Sequence, residues 1–187
     1  MKKFVFPSYL FFNKKMAKEL SPFIKKNSRV LDFGCGRGVL GHFIAKKPGV
    51  RVTGMDIRDG RKFDIPFTLY DGKKIPFPDN HFDAVLAAYV LHHTQNAESL
   101  LREIKRVCRG KIIIYEDTPE NLMHKAFSCF HGRLFNVFFS VSSGCRFFSR
   151  SEWLRLFKKQ RLELVYMKNV RMFDPTYLTK RTLFVLK

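Results

Sequence analysis

The chain has 187 residues, 45% of them apolar and 27% charged, which suffices for one packed core and is too apolar for a disordered tail. Its four cysteines, Cys35, Cys108, Cys129 and Cys145, form no CxxC pair and no Cys/His zinc spacing; this excludes a disulfide-stapled secreted domain, gives no metal ligand set, and fits a reducing cytoplasm. The formal net charge is +19, but Lys and Arg recur in every segment from Lys2 to Lys187, as expected of a generally basic solvated surface; RNA or an anionic membrane surface is the alternative partner.

The first residues, MKKFVFPSYLFFNKK, begin like a signal peptide, yet they contain Pro7, lack a small-residue cleavage site and run into Lys14 and Lys15. Tyr9, Phe12, Met16, Leu20 and Phe23 or Ile24 recur at helical spacing, which predicts an amphipathic helix broken at Ser21-Pro22. Arg29 to Phe33 reads as a strand ending in Gly34-Cys-Gly36-Arg-Gly38, followed by a helix over Val39 to Lys46 and a strand over Arg51 to Ile57. Phe67 to Tyr70 is a weaker strand ending at Asp71-Gly72, and Phe82 to Ala88 is a buried one. Leu100, Leu101, Ile104 and Val107 share one face of a helix over Ala97 to Val107, and Lys111 to Tyr115 is a fifth strand. Residues 119–141 have helical tendency and are rich in Phe; Ser149-x-x-Glu152 is a capping box, and Leu162 to Met167 and Thr182 to Leu186 read as a closing strand pair. Strands alternating with helices imply parallel βαβ units, hence an α/β fold.

The glycine loop allows a tight turn and close backbone approach to a ligand at a helix N-terminus. Gly36-x-Gly38-x-x-Gly41 with Asp56 about twenty residues on satisfies the dinucleotide fingerprint. Asp32 at the strand end argues against it, because its carboxylate repels a pyrophosphate and attracts a ligand bearing an ammonium and a sulfonium. S-adenosylmethionine is a ligand of that kind.

Val30-Leu-Asp-Phe-Gly-Cys-Gly-Arg-Gly38 resembles the first motif of the class I S-adenosylmethionine-dependent methyltransferases, and Val52-Thr-Gly-Met-Asp56-Ile resembles their second-strand motif. Asp71-Gly-Lys-Lys-Ile-Pro-Phe-Pro-Asp-Asn-His-Phe-Asp-Ala-Val85, then Tyr89-Val-Leu-His-His93 and Phe148-Ser-Arg-Ser-Glu-Trp-Leu, are similar to the type-11 branch, which includes quinone-biosynthesis and many small-molecule enzymes. The resemblance covers residues 28–187 except the Phe-rich stretch. It implies a Rossmann-like, seven-stranded, mostly parallel sheet in the order 3-2-1-4-5-7-6 with the last strand antiparallel. Residues 1–187 then form a single domain: an N-terminal helical segment (1–27), a cofactor core (28–116), a Phe-rich cap (117–148) and a C-terminal helix with a strand pair (149–187). The implied roles are Gly34, Cys35 and Gly36 against the methionine part, Asp32 near its amine, Asp56 on the ribose, Ile57 on the adenine, and Asp71, followed by Gly72, at its exocyclic amine. Ala88 and Tyr89 line the pocket beyond the fourth strand. Asp71-Gly72 is also an ordinary turn sequence. The family's glycine between the late helix and the next strand is replaced by Lys158-Lys-Gln-Arg161, so that loop must differ or carry strain of ~1 kcal/mol.

Methyl transfer is an in-line displacement in which the cofactor supplies activation and the protein supplies alignment and desolvation. If the nucleophile arrives protonated, His92, His93, Glu116, Asp117, His124 and His131 are the base candidates; the His pair also fits a packing or hydrogen-bonding role, and the acid pair a helix cap. No Asp/Asn-Pro-Pro-Tyr/Phe and no Pro-Cys follows the fourth strand, which disfavours methylation of exocyclic base amines and of cytosine C5. The rings between Phe127 and Phe148 form either the packed core of cap helices or a lid over the methyl end, and a lid favours a small, apolar or lipid-like acceptor.

Overall fold

Branched and aromatic runs bounded by glycine, proline or polar turns become the strands of one sheet. A computed structural model describes residues 6–94, 96–121, 123, 125, 126, 146–170 and 180–187. The strands are β1 (Arg29–Phe33), β2 (Arg51–Asp56), β3 (Phe67–Leu69), β4 (Phe82–Ala88), β5 (Cys108–Asp117), β6 (Leu164–Val170) and β7 (Arg181–Leu186). The helices are α1 (Pro7–Leu20), α2 (Val39–Ile44), α3 (Ala97–Val107) and α4 (Arg150–Lys159), with single 3-10 turns at Ser21–Phe23 and Leu91–His93. The sheet order is β3-β2-β1-β4-β5-β7-β6, as the resemblance implied. β1 pairs in parallel with β2 and β4, β2 with β3, and β6 and β7 pair antiparallel.

The chain groups into two compact units, Met1–Ala88 with Glu103–Ile113 and Tyr89–Arg102 with Ile114–Lys187. In the first, Val30, Leu31, Met55, Val85 and Leu86 are fully buried, and α1 packs Met16, Ala17 and Leu20 inward. In the second, Trp153 stacks on Phe157, which meets Phe184 edge-on, all three buried. Among the described residues no helix is long and apolar enough to cross a membrane.

Element ends differ from the expected ones for identifiable reasons. The fifth strand starts at Cys108 rather than Lys111, because Gly110 does not break it: a Cβ there would sit 2.0 Å from the Asp83 carbonyl oxygen, so glycine permits the close approach. The same strand runs on through Glu116 and Asp117, whose buried carboxylates are paired. β6 starts at Leu164 rather than Leu162, because Leu162 belongs to the end of α4: its N–H donates to the Phe157 carbonyl and that of Arg161 to Lys158, both 3.0 Å. This is a Schellman closure with Arg161 at φ 52°, the left-handed position normally held by glycine. The capping box at Ser149 forms as expected, with the Glu152 N–H donating to Oγ at 3.3 Å and the Ser149 N–H donating to Glu152 Oε2 at 2.6 Å. The Phe-rich lid or core, with His124 and His131, lies almost entirely outside the described residues; Phe147 and Phe148 at its end are inside them.

Candidate functional site

The loop after β1 turns back over the end of β2. Gly34, Gly36 and Gly38 all have left-handed φ, at 69°, 50° and 71°. The Gly34 and Cys35 N–H groups donate to the Met55 carbonyl at 2.8 and 3.1 Å, and the Gly36 N–H donates to Asp56 Oδ2 at 2.8 Å. Asp56 Oδ1 accepts the Ile57 N–H at 2.8 Å. A carboxylate offers about four acceptor positions, so Asp56 shapes the loop and keeps capacity for two hydroxyl donors. Ile57 beside it is 63% exposed, an apolar side chain left open at a strand end. A Cβ built on Gly36 would meet nothing within 4 Å, so the loop backbone faces open space there.

Asp32 is buried, and its Oδ2 accepts the Gly41 N–H at 3.0 Å. A Cβ at position 41 would sit 2.8 Å from that oxygen, so the third glycine of the fingerprint spacing makes room for this carboxylate. Burial, against the Gly41 hydrogen bond and reinforced by Asp56, pushes the Asp32 pKa up to about 7. Burial, with Asp32 and Asp56 adding to it, also pushes the Cys35 thiol up, so Cys35 stays a thiol. Asp71 is exposed, and its Oδ1 accepts the N–H groups of Lys73 and Lys74 at 2.8 and 3.2 Å; the carboxylate closes the Asp71-Gly72 turn, with Gly72 at φ 82°. Ala88 ends β4.

In the second unit, Tyr89 has φ 54° and donates its N–H to the Tyr115 carbonyl at 2.8 Å. Glu116 is fully buried: Oε1 accepts the N–H groups of Val90 and Leu91 at 3.0 and 2.8 Å, and Oε2 lies 2.6 Å from His92 Nδ1. Burial lowers the His92 pKa, but the Glu116 carboxylate outweighs it and the net position is above the ordinary value. His92 stacks on Phe147 at 4.6 Å and lies 4.0 Å from the His93 ring. Burial and then the His92 charge push His93 down to about 4. Asp117 pairs with Arg181 at 3.2 Å, whose guanidinium lies 5.7 Å from the Tyr89 ring centre.

The family model described as a methyltransferase domain matches residues 8–167. The chain belongs to the methyltransferase-domain family. The class I fold and the type-11 likeness drawn from the motifs both hold, and the methyltransferase domain is of the S-adenosylmethionine-dependent kind. It is 36% identical over 108 residues to a sterol 24-C-methyltransferase of Gibberella zeae, covering 50% of this chain and 28% of that one. It is 33% identical over 138 residues to a ubiquinone/menaquinone biosynthesis C-methyltransferase of Pseudomonas fluorescens, covering 63% and 53%. The chain thus spans about half or less of the curated relatives' length. An S-adenosylmethionine-dependent methyltransferase structure from Methanosarcina mazei aligns at TM-score 0.70 and 16% identity, covering 90% of this chain and 95% of that one. A geranyl diphosphate methyltransferase in complex with S-adenosylmethionine aligns at TM-score 0.71 and 14% identity, covering 93% and 84%. At such identity the likeness is one of fold.

The methyltransferase domain also has polar anchors that sequence reading missed. Arg106 donates to the carbonyls of Ile75 and Phe77 at 2.9 and 2.8 Å, and pairs with Glu103 and Asp79. Glu103 accepts the Ile75 N–H at 3.0 Å, so the segment after Asp71 is tied to α3. Asp83 accepts the Arg29 N–H at 2.8 Å and pairs with Arg109. Over the glycine loop, the Lys62 N–H donates to the Arg37 carbonyl at 2.9 Å and the Arg61 guanidinium donates to the Ile65 carbonyl, pairs with Asp59 at 2.7 Å and lies 4.6 Å from the Phe67 ring centre. Residues 58–66 carry no motif, so nothing local announced this cover.

Proposed function

We propose that this domain transfers a methyl group from S-adenosylmethionine to a small, apolar or lipid-like acceptor. The observation that carries the cofactor reading is the Gly36–Asp56 hydrogen bond, which sets a carboxylate with spare acceptor capacity beside an open glycine loop and an exposed Ile57. These residues fit the cofactor: Asp56 for the ribose hydroxyls, Ile57 against the adenine, Gly34, Cys35 and Gly36 along the methionine part, Asp32 as counter-charge to its amine. Asp71 and Gly72 contribute through the turn they close, and Ala88 through the end of β4. The bound cofactor supplies a methyl on a positive sulfonium, ready for in-line displacement.

The chain's own groups then align and exclude water. Among the base candidates, Glu116 and Asp117 are each held in buried pairs, which favours positioning over proton transfer. Glu116 fixes the backbone at Val90 and Leu91 and holds His92, leaving Nε2 as that ring's remaining nitrogen; His93 is neutral at ordinary pH. The apolar acceptor is supported by the relatives, named for sterol and quinone-pathway carbon methylation, and by the absence of base-methylation motifs.

Calorimetry with S-adenosylhomocysteine tests the cofactor site. Asp56→Ala should cost ~2–3 kcal/mol of binding, the usual worth of hydrogen bonds to a charged group. Unchanged affinity in a folded variant removes the assignment, and binding of NADH in its place restores the dinucleotide reading. Transfer of tritiated methyl into the organic phase of a lipid extract, rather than into RNA, tests the acceptor class.

A further inference from the structure

We propose that the face formed by α1 and the turn after α2 binds the anionic phospholipid surface of a membrane. Pro7, Phe11, Lys14, Lys15 and Lys18 fall on one stripe of α1 at the helical period, opposite the buried Asn13, Met16, Ala17 and Leu20. All five are exposed; Phe11 is 64% exposed, a large ring presented to solvent with three ammonium groups beside it. Next to this stripe lies a groove of about 580 Å³, lined by Lys14, Lys18, Lys46 and Lys47 over the apolar Phe43 and Ile44. Among the described residues, no carboxylate lines it. From Phe6 to Pro48 the sequence has nine Lys and Arg against two acids, Glu19 on α1 and Asp32, and Asp32 is buried.

The lysines divide their work. Lys47 Nζ donates to the carbonyls of Ser21 and Ile24 at 2.6 and 2.5 Å, which fixes the groove wall where α1 ends. Lys46 Nζ stands 5.0 Å from the Phe43 ring centre, and the Lys14, Lys15 and Lys18 side chains stand out from the helix. Lysine is a flexible point charge that suits a fluid array of phosphates, and its stem can lie along an apolar floor. A basic helix with aromatic side chains among its lysines gains from both components of a lipid surface, the anionic headgroups and the acyl boundary below them. A nucleic acid takes only the charge and leaves Phe11 unused unless a base stacks on it. The charge complementarity and the apolar floor together favour the membrane. The inference rests on this surface alone and holds whatever the acceptor is.

Flotation of the whole chain with vesicles tests it. Binding is expected to phosphatidylcholine vesicles containing phosphatidylglycerol and to be lost with phosphatidylcholine alone. The triple variant Lys14→Glu, Lys18→Glu, Lys46→Glu should weaken binding about a hundredfold, and Phe11→Ser about tenfold. Both should keep the parent's thermal shift with S-adenosylhomocysteine, which separates a lost surface from a lost fold or cofactor site. If the triple variant floats like the parent, the charge that binds lies elsewhere and the inference fails. It fails equally if an RNA oligomer displaces the vesicles while Phe11→Ser changes nothing, for then the face is a plain polyanion site.

Discussion

Asp32 is a buried carboxylate whose charge is disfavoured until something cationic arrives. Its pKa of about 7 lies above the ordinary 3.8, so below about pH 7 the folded protein prefers the neutral acid. For an acid raised on folding, the contribution to stability is full below the ordinary value, is lost as pH rises toward 7, and is level above it. A ligand with an ammonium group reverses this preference. Cofactor affinity should therefore rise as pH goes from 6 to about 7 and flatten beyond, with proton release on binding at the lower end. Calorimetry in buffers of different ionisation enthalpy measures that release. Asp32→Asn keeps an oxygen for the Gly41 N–H and should give weaker, pH-independent binding; a variant with the parent's pH profile would show that the titrating group is another.

The end of α4 stores strain in a form that one substitution relieves. Arg161 occupies the left-handed position of a Schellman closure, where a side chain costs ~1 kcal/mol, so Arg161→Gly should raise stability by about that amount in chemical denaturation. A decrease would mean that the Arg161 side chain's contacts outweigh its backbone. At the other end of the helix, Ser149→Ala should cost ~1 kcal/mol by removing the cap. The turn after β4 depends on a carboxylate from β5. Glu116→Ala removes two backbone acceptors and the partner of His92, and should destabilise by ~3–5 kcal/mol, as expected when one member of a buried pair is lost. The raised His92 pKa means its stabilisation is present below 6.5 and is lost as pH rises through the folded value. The parent should lose stability across that window, and Glu116→Ala should flatten the slope. A parallel pH dependence in both would assign the titration elsewhere.

A net charge of +19 repels itself in the compact state more than in the unfolded chain. Raising ionic strength from ~0.01 to ~0.15 M shortens the screening length from about 30 to about 8 Å. Tm should rise over that range, read by scanning fluorimetry; a fall would mean that surface ion pairs such as Lys159–Glu98 and Lys180–Glu120 outweigh the repulsion. The same surplus of charge, scattered along the chain, hid the basic face. Lys14 and Lys46 are far apart in sequence and become neighbours because α1 packs on α2.

Local chemistry sufficed for the strands, the glycine turn, the break at Ser21-Pro22 and the capping box, because each depends on residues within about one turn or one strand of each other. The family resemblance that the motifs carry implied the strand order, which the sheet bears out. The junction Lys158-Lys-Gln-Arg161 stood out only against the glycine that the resembling family carries there, and the structure puts the left-handed residue at Arg161. Pairings across distance left no such trace. Asp83 holds Arg29 from 54 residues away and Arg109 from 26, Glu116 holds His92 from 24, and Arg106 ties down Ile75 and Phe77 from about thirty. A buried charge needs a partner, but the residues between say nothing about which one it will be; folding chooses it by bringing the backbones together.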